Sequence, residues 1–302
     1  MKIINWIENH FGAFLMGGII AGMLFPEMGH WTLKAILPIM GIVLLLTFLK
    51  VNFSEILNHL KNIRFLGYVT TMYMLIIPGI VFAIFQNVNP DLAVAALLLS
   101  AVPCGVSAAP LTHLLKGNTS LSITLTILSY LIAPITLPLL FKILVGQSID
   151  LDIVGLFKTL LFLIFIPLGL SEILKKYSPK NVKKIKPYTK SLSVLIISVM
   201  VYTGIAIQRD QILENPEQIL NQLAWLYGLF LLYHTVGYLM APQRPKTDKI
   251  AISVSKTYMN NTLGIALAVN FFNPAVVLFM VLSEIPWSTA IIGFKIILKY
   301  LK

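Results

Sequence analysis

The stretch "SVSKTYMNNTLGIALAV" (residues 253–269) sets a lysine, two asparagines and two threonines at the head of an apolar run. Lys256 supplies a fixed positive charge and three N–H donors. Asn260, Asn261 and Thr262 follow with amides and a hydroxyl at consecutive positions. A second stretch, "VPCGVSAAPLTHLLKGNTSLSITLT" (residues 102–126), places Cys104, Gly105 and Ser107 around a Pro-Cys-Gly break, with Ser122 and Thr126 one turn apart beyond it. These are groups that bind. H-E-x-x-H, G-x-S-x-G and paired aspartates within apolar segments are all missing from the sequence, so neither an enzyme nor a metal centre is expected. Where a helix restarts after a break, its free N–H groups suit an anion, and Asn260, Asn261, Thr262, Gly105 and Ser107 lie at two such restarts.

A lysine in an apolar segment needs a partner. Insertion of a charge at the centre of a bilayer costs at least about 2.5–3.5 kcal/mol. Glu284, in "VLSEIPWSTA", is the sole carboxylate inside an apolar segment and one candidate partner. The carbonyl ends of broken helices, each carrying about half a negative charge, are another. In a third arrangement Lys256 snorkels along its own helix to the cytoplasmic surface. His234 is a further titratable group within an apolar run, read either as packing or as a proton-coupling residue.

The elements that carry these residues are long and greasy. The 302-residue chain is 57% hydrophobic and 12% charged, against about 25% charged in soluble domains, and its mean hydropathy is +0.85. Apolar blocks near spanning length predict an all-α polytopic membrane protein. Ten spans are expected, at 8–25, 31–49, 64–86, 91–115, 119–145, 153–174, 190–208, 222–241, 249–271 and 274–298. The first block, "FGAFLMGGIIAGMLF", lacks a basic n-region ahead of a short apolar core and reads as a span, not a cleaved leader. A single cysteine excludes an internal disulfide framework.

Charge placement sets the orientation. With both termini cytoplasmic, eighteen of the 23 Lys and Arg fall inside, among them the run "KKYSPKNVKKIKP" between spans six and seven. That asymmetry satisfies the positive-inside rule and makes the basic run a topology determinant, with no nucleic-acid partner implied. Spans four and nine are the interrupted ones, and they stand five apart. An odd separation reverses direction across the membrane, so residues 1–150 and 151–302 are expected to form two inverted five-helix repeats whose broken helices cross at mid-membrane. Matched interruptions in two halves point to a transporter binding site.

The motifs themselves are familiar. "VPCGVSAAPLTHLLKGNTSLSITLTILSYLIAPITLP" resembles the fourth and fifth helices of the bile acid:sodium symporter family, where PGGTASN precedes a KGN or RGN turn and a serine and threonine at i, i+4. "LYHTVGYL" is similar to that family's LHNGIGYL, and "MNNTLGIALA" to its MQNSGLAAALA. The resemblance runs in order along most of the chain. It implies a panel domain of helices 1, 2, 6 and 7, a core domain of helices 3–5 and 8–10, and transport of small to medium organic anions, usually with sodium.

Departures from the family pattern fall on its sodium ligands. The Ser-Asn pair of one site corresponds here to Ala108 and Ala109, although Ser122 and Thr126 keep the hydroxyls. In the second site Tyr73 stands for a glutamine, Asn260 for another, and Lys256 for a glutamate. A carboxylate has become an ammonium. The resemblance therefore implies an organic-anion transporter of the bacterial inner membrane that requires no sodium and no cofactor, in which Lys256 replaces the bound cation and proton coupling stays open. The alternative is efflux of arsenite or another metalloid through Cys104: the related arsenical exporters share a Pro-Cys pair and a Glu-Val-Pro-like stretch, here Glu284-Ile285-Pro286. The sequence carries no signal of oligomeric state.

Overall fold

The computed structural model describes residues 11–51, 62–146, 151–214 and 216–300. Helices account for nearly all of it, and the sole strand-like pairing among the described residues is one bridge between two chain breaks. The elements are α1 (Phe11–Leu24), α2 (Gly29–Lys34), α3 (Ile36–Phe48), α4 (Ile63–Phe85), α5 (Pro90–Ala101), α6 (Ala108–Leu114), α7 (Thr119–Leu144) and α8 (Ile153–Tyr177). They continue with α9 (Pro179–Ile185), α10 (Thr189–Glu214), α11 (Pro216–Leu239), α12 (Lys246–Thr257), α13 (Asn261–Phe271), α14 (Pro274–Leu282) and α15 (Glu284–Ile297).

Most described residues of the apolar segments are helical, with the segments at 91–115 and 249–271 interrupted at 102–107 and 258–260. Among the described residues, five helical stretches are long and apolar enough to cross a membrane without interruption: 63–85, 119–144, 153–177, 179–214 and 274–297. Another is bent by 97° at Phe25, where Pro26 opens a short 3-10 turn. The chain is an all-α polytopic membrane protein. Its helix starts are written locally. Asn89, Asn118, Asp152, Asn260 and Asn273 each cap a helix by accepting a backbone N–H with the side-chain oxygen, which satisfies one of the donors left free at a helix start. Pro90 and Pro274 sit at the first helical position, where a missing N–H costs nothing.

Around this frame α1 packs on α10, α3 on α8, α4 on α5, and α11 on α12. A Cβ on Gly18 would stand 2.6 Å from the Ser198 carbonyl oxygen, so the first of these contacts is backbone on backbone. The outward rows of Ile, Leu and Phe, such as Ile80, Ile84, Ile135, Phe162 and Ile166, are exposed in the isolated chain and form the surface that lipid covers. Two interruptions, between α5 and α6 and between α12 and α13, have buried residues at their breaks, Cys104 and Met259.

Candidate functional site: the crossing of two broken helices

Each break follows from its residues. Val102 precedes Pro103 and takes extended backbone (φ −63°, ψ 147°), which ends α5. Tyr258 closes α12, and the chain runs extended until Asn260 caps α13. The two extended stretches pair: Gly105 N–H donates to the Tyr258 carbonyl (2.8 Å), Asn260 N–H donates to the Pro103 carbonyl (2.8 Å), and Cys104 stands opposite Met259 in an antiparallel bridge. The backbone groups freed by one interruption are thus satisfied by the other. Gly105 is required here: a Cβ would lie 2.9 Å from the Tyr258 oxygen and 3.0 Å from that of Met259.

Lys256 lies beside this crossing, 4% exposed, and does not snorkel. Its Nζ donates to the Ser100 carbonyl at 2.7 Å and to the Tyr73 carbonyl at 3.1 Å. Both acceptors are orphans of broken helical geometry. The helical donor for Ser100 would be the Cys104 N–H, which turns instead to the Ser129 hydroxyl (3.0 Å). Tyr73 falls in a π turn, Met72–Ile76, where the Ile77 N–H bonds to Met72. The next residue, Pro78, has no N–H to offer. The rings of Tyr233 and Tyr73, with centroids 5.0 and 5.9 Å from Nζ, add two π-faces toward the ammonium. The Tyr73 hydroxyl donates to the Ile252 carbonyl, fixing α4 against α12.

The expected charge partners are not used. Among the described residues Glu284 forms no ion pair with Lys256; carbonyls fill that role, because the breaks free them within reach. His234 lies elsewhere, with Nδ1 3.1 Å from the Ser253 hydroxyl, Nε2 3.3 Å from the Tyr258 hydroxyl and its ring stacked on Phe294 at 3.9 Å.

The other sequence-predicted residues divide. Ser122 and Thr126 line the crossing but are engaged: Ser122 shares a hydrogen bond with Ser255 (2.9 Å), and Thr126 donates to the Ser122 carbonyl (2.9 Å). Ala108 is buried in a cluster with Tyr258 and Val254, and Ala109 is half-buried. Asn260 is spent on structure, accepting from the Leu263 N–H and donating to the Tyr130 hydroxyl at 2.6 Å. Asn261 donates to the Ser283 hydroxyl (2.9 Å), and its amide oxygen is buried without a donor. Thr262 is buried and Ser107 half-buried. Cys104 is buried and free, and no cluster of three or more His, Cys, Asp or Glu occurs among the described residues. Sequence reasoning missed Ser100, Ser129 and Tyr233. Pro78 and Pro103, which remove helical donors near Tyr73 and Ser100, were the signals for the carbonyl site.

The sodium bile acid symporter family model matches residues 37–215, more than half of the chain. The chain belongs to this family. It is 26% identical over 284 residues to an uncharacterized sodium-dependent transporter of Bacillus subtilis, YocS, covering 90% of this chain and 85% of that protein. Two rice proteins described as probable sodium/metabolite cotransporters of the chloroplast are also similar. BASS2 is 25% identical over 91% of this chain, and BASS1 27% over 69%. The chain spans 66% and 51% of the lengths of these two. As a member of a transporter family built from apolar helices, it is an integral membrane secondary transporter and not an enzyme.

Proposed function

We propose that this protein carries a small or medium organic anion by alternating access without sodium, with the Lys256 ammonium standing where relatives hold a cation. The observation that carries the reading is the pair of hydrogen bonds from Nζ to the Ser100 and Tyr73 carbonyls. Carbonyl oxygens freed by a broken helix and a π turn are what a sodium ion would use, and here they are occupied by a covalently attached cation. A second cation about 4 Å away is repelled by roughly 4 kcal/mol at an effective dielectric near 20. That is about a thousandfold in affinity. At the other sodium position the ligand side chains are replaced by Ala108 and Ala109, and the remaining hydroxyls of Ser122 and Thr126 already have partners.

The cargo is assigned to the crossing, beside Ser107, Asn261 and Thr262. The names of the similar proteins, sodium-dependent or sodium/metabolite transporters, support a metabolite-sized cargo. Both termini are assigned to the cytoplasmic face of a bacterial inner membrane, on the charge asymmetry. The metalloid alternative is less favoured: Cys104 is the single thiol of the chain, and its backbone is held in the bridge.

The test is flux into proteoliposomes with cholate and a set of small carboxylates as probes, in sodium and in choline media. Native uptake should be equal in the two media within about twofold, and Lys256→Glu should become sodium-dependent. Native uptake that collapses in choline would overturn the assignment.

A further inference from the structure

Two carboxylates are buried among the described residues, and they are treated differently. Asp248 accepts from the Asn118 amide (2.8 Å) and faces the Arg244 guanidinium at 3.8 Å. Glu284, 4% exposed at the start of α15, has neither a hydrogen bond nor an ion pair among the described residues. The preceding residue, Ser283, touches the crossing: it accepts from Asn261 Nδ2 (2.9 Å) and donates to the Met280 carbonyl (2.6 Å). The hydroxyl proton of Ser283 is therefore spent, and Asn261 Oδ1, also buried, has no donor either. Lys256 is at comparable burial, with two carbonyls and two ring faces around it. The one buried ion is compensated and the other is not.

An ionised carboxylate without partners is not sustained in a low-dielectric interior; it takes up a proton instead. Intramembrane acids of this kind mark proton pathways. We propose that Glu284 is the proton-binding site of the transport cycle, so that transport is coupled to protons. The proposal rests on the reading of the chain as a transporter. When the site opens to one face, the carboxylate takes one proton from water and becomes a neutral acid with an O–H donor. When the site opens to the other face, the proton returns to water and the carboxylate is restored. One proton crosses per cycle and no electrons move.

Among the described residues of the helices packed against α14 and α15, no side chain forms a hydrogen bond or ion pair with Glu284. From α5, Asp91 is held by Asn273 (2.7 Å). From α10, Arg209 pairs with Asp210 (3.0 Å) and Tyr202 donates to the Phe25 carbonyl (2.6 Å). From α11, Tyr227 bonds to Thr289 (2.8 Å), and His234 is taken by Ser253 and Tyr258. α13 carries no titratable side chain. Lys256 points to Ser100 and Tyr73. None of these pairs with Glu284.

Two measurements test the proposal. Infrared difference spectra of purified native protein between acid and alkaline pH should show the C=O stretch of a protonated carboxyl group persisting at neutral pH, absent from Glu284→Gln. A spectrum in which that band is already lost near the ordinary glutamate range, about pH 4.3, would overturn the proposal, whatever the cargo. In proteoliposomes with sodium omitted, a gradient of one pH unit should shift steady-state cholate or carboxylate accumulation of the native protein by up to about tenfold. Glu284→Gln should still exchange the probe but ignore the gradient, and Glu284→Asp should keep part of the response. A native response to a sodium gradient and none to a pH gradient would refute proton coupling. If no probe moves in any medium, the function above fails while the infrared result still decides the state of Glu284.

Discussion

Replacement of Lys256 by alanine removes the donor shared by two buried carbonyls. The Ser100 oxygen has lost its helical donor to Ser129, and the Tyr73 oxygen has lost its own to a π turn and Pro78. Leaving a buried acceptor unsatisfied costs about 1–3 kcal/mol each, so Lys256→Ala should destabilise the protein by roughly 2–6 kcal/mol. At about 2 °C per kcal/mol, the figure for larger single chains, the unfolding midpoint should fall by about 4–12 °C. Lys256→Met keeps most of the side-chain volume and discards the donors, so it should lose nearly as much. The assay is a thermal melt of purified native and variant proteins, in choline and again in high sodium. Sodium should leave the native midpoint unchanged and recover part of the loss in Lys256→Ala, where the freed carbonyls become available to an ion. If Lys256→Met melts with the native protein, the lysine is holding its neighbours apart by bulk and the hydrogen-bond argument is refuted.

Gly105→Ala drives a Cβ to 2.9 Å from the Tyr258 carbonyl oxygen; it should abolish probe flux and lower the melting midpoint, whereas Gly79→Ala, with open space around it, should match the native protein in both. For orientation, a cysteine at Lys180 in a Cys104→Ser background should be protected from impermeant thiol reagents in intact cells and labelled after lysis. Labelling in intact cells would turn the topology over.

The sequence alone determined the class of the fold and the places where it breaks. Blocks of Leu, Ile and Phe without charge must be helical in lipid, because no water is there to take their backbone groups. Pro103 and the run through Asn260 must interrupt those helices for equally local reasons: a proline before which the chain goes extended, and an asparagine that caps. That Lys256 needs a partner was legible in the sequence, but Glu284, helix carbonyl ends and the cytoplasmic surface were all open to it. Which partner it takes was decided by tertiary structure. Ser100 is available because Ser129, 29 residues further on, draws the Cys104 N–H away. Tyr73 becomes available only when α4 forms a π turn and lies against α12. The pairing of Lys256 with Glu284 was reasonable on charge, but attraction between side chains in one sequence says nothing about the direction in which each helix face points. Tertiary structure gives Lys256 the Ser100 and Tyr73 carbonyls, while Glu284, on a helix packed against α11, is left without a hydrogen bond or ion pair among the described residues.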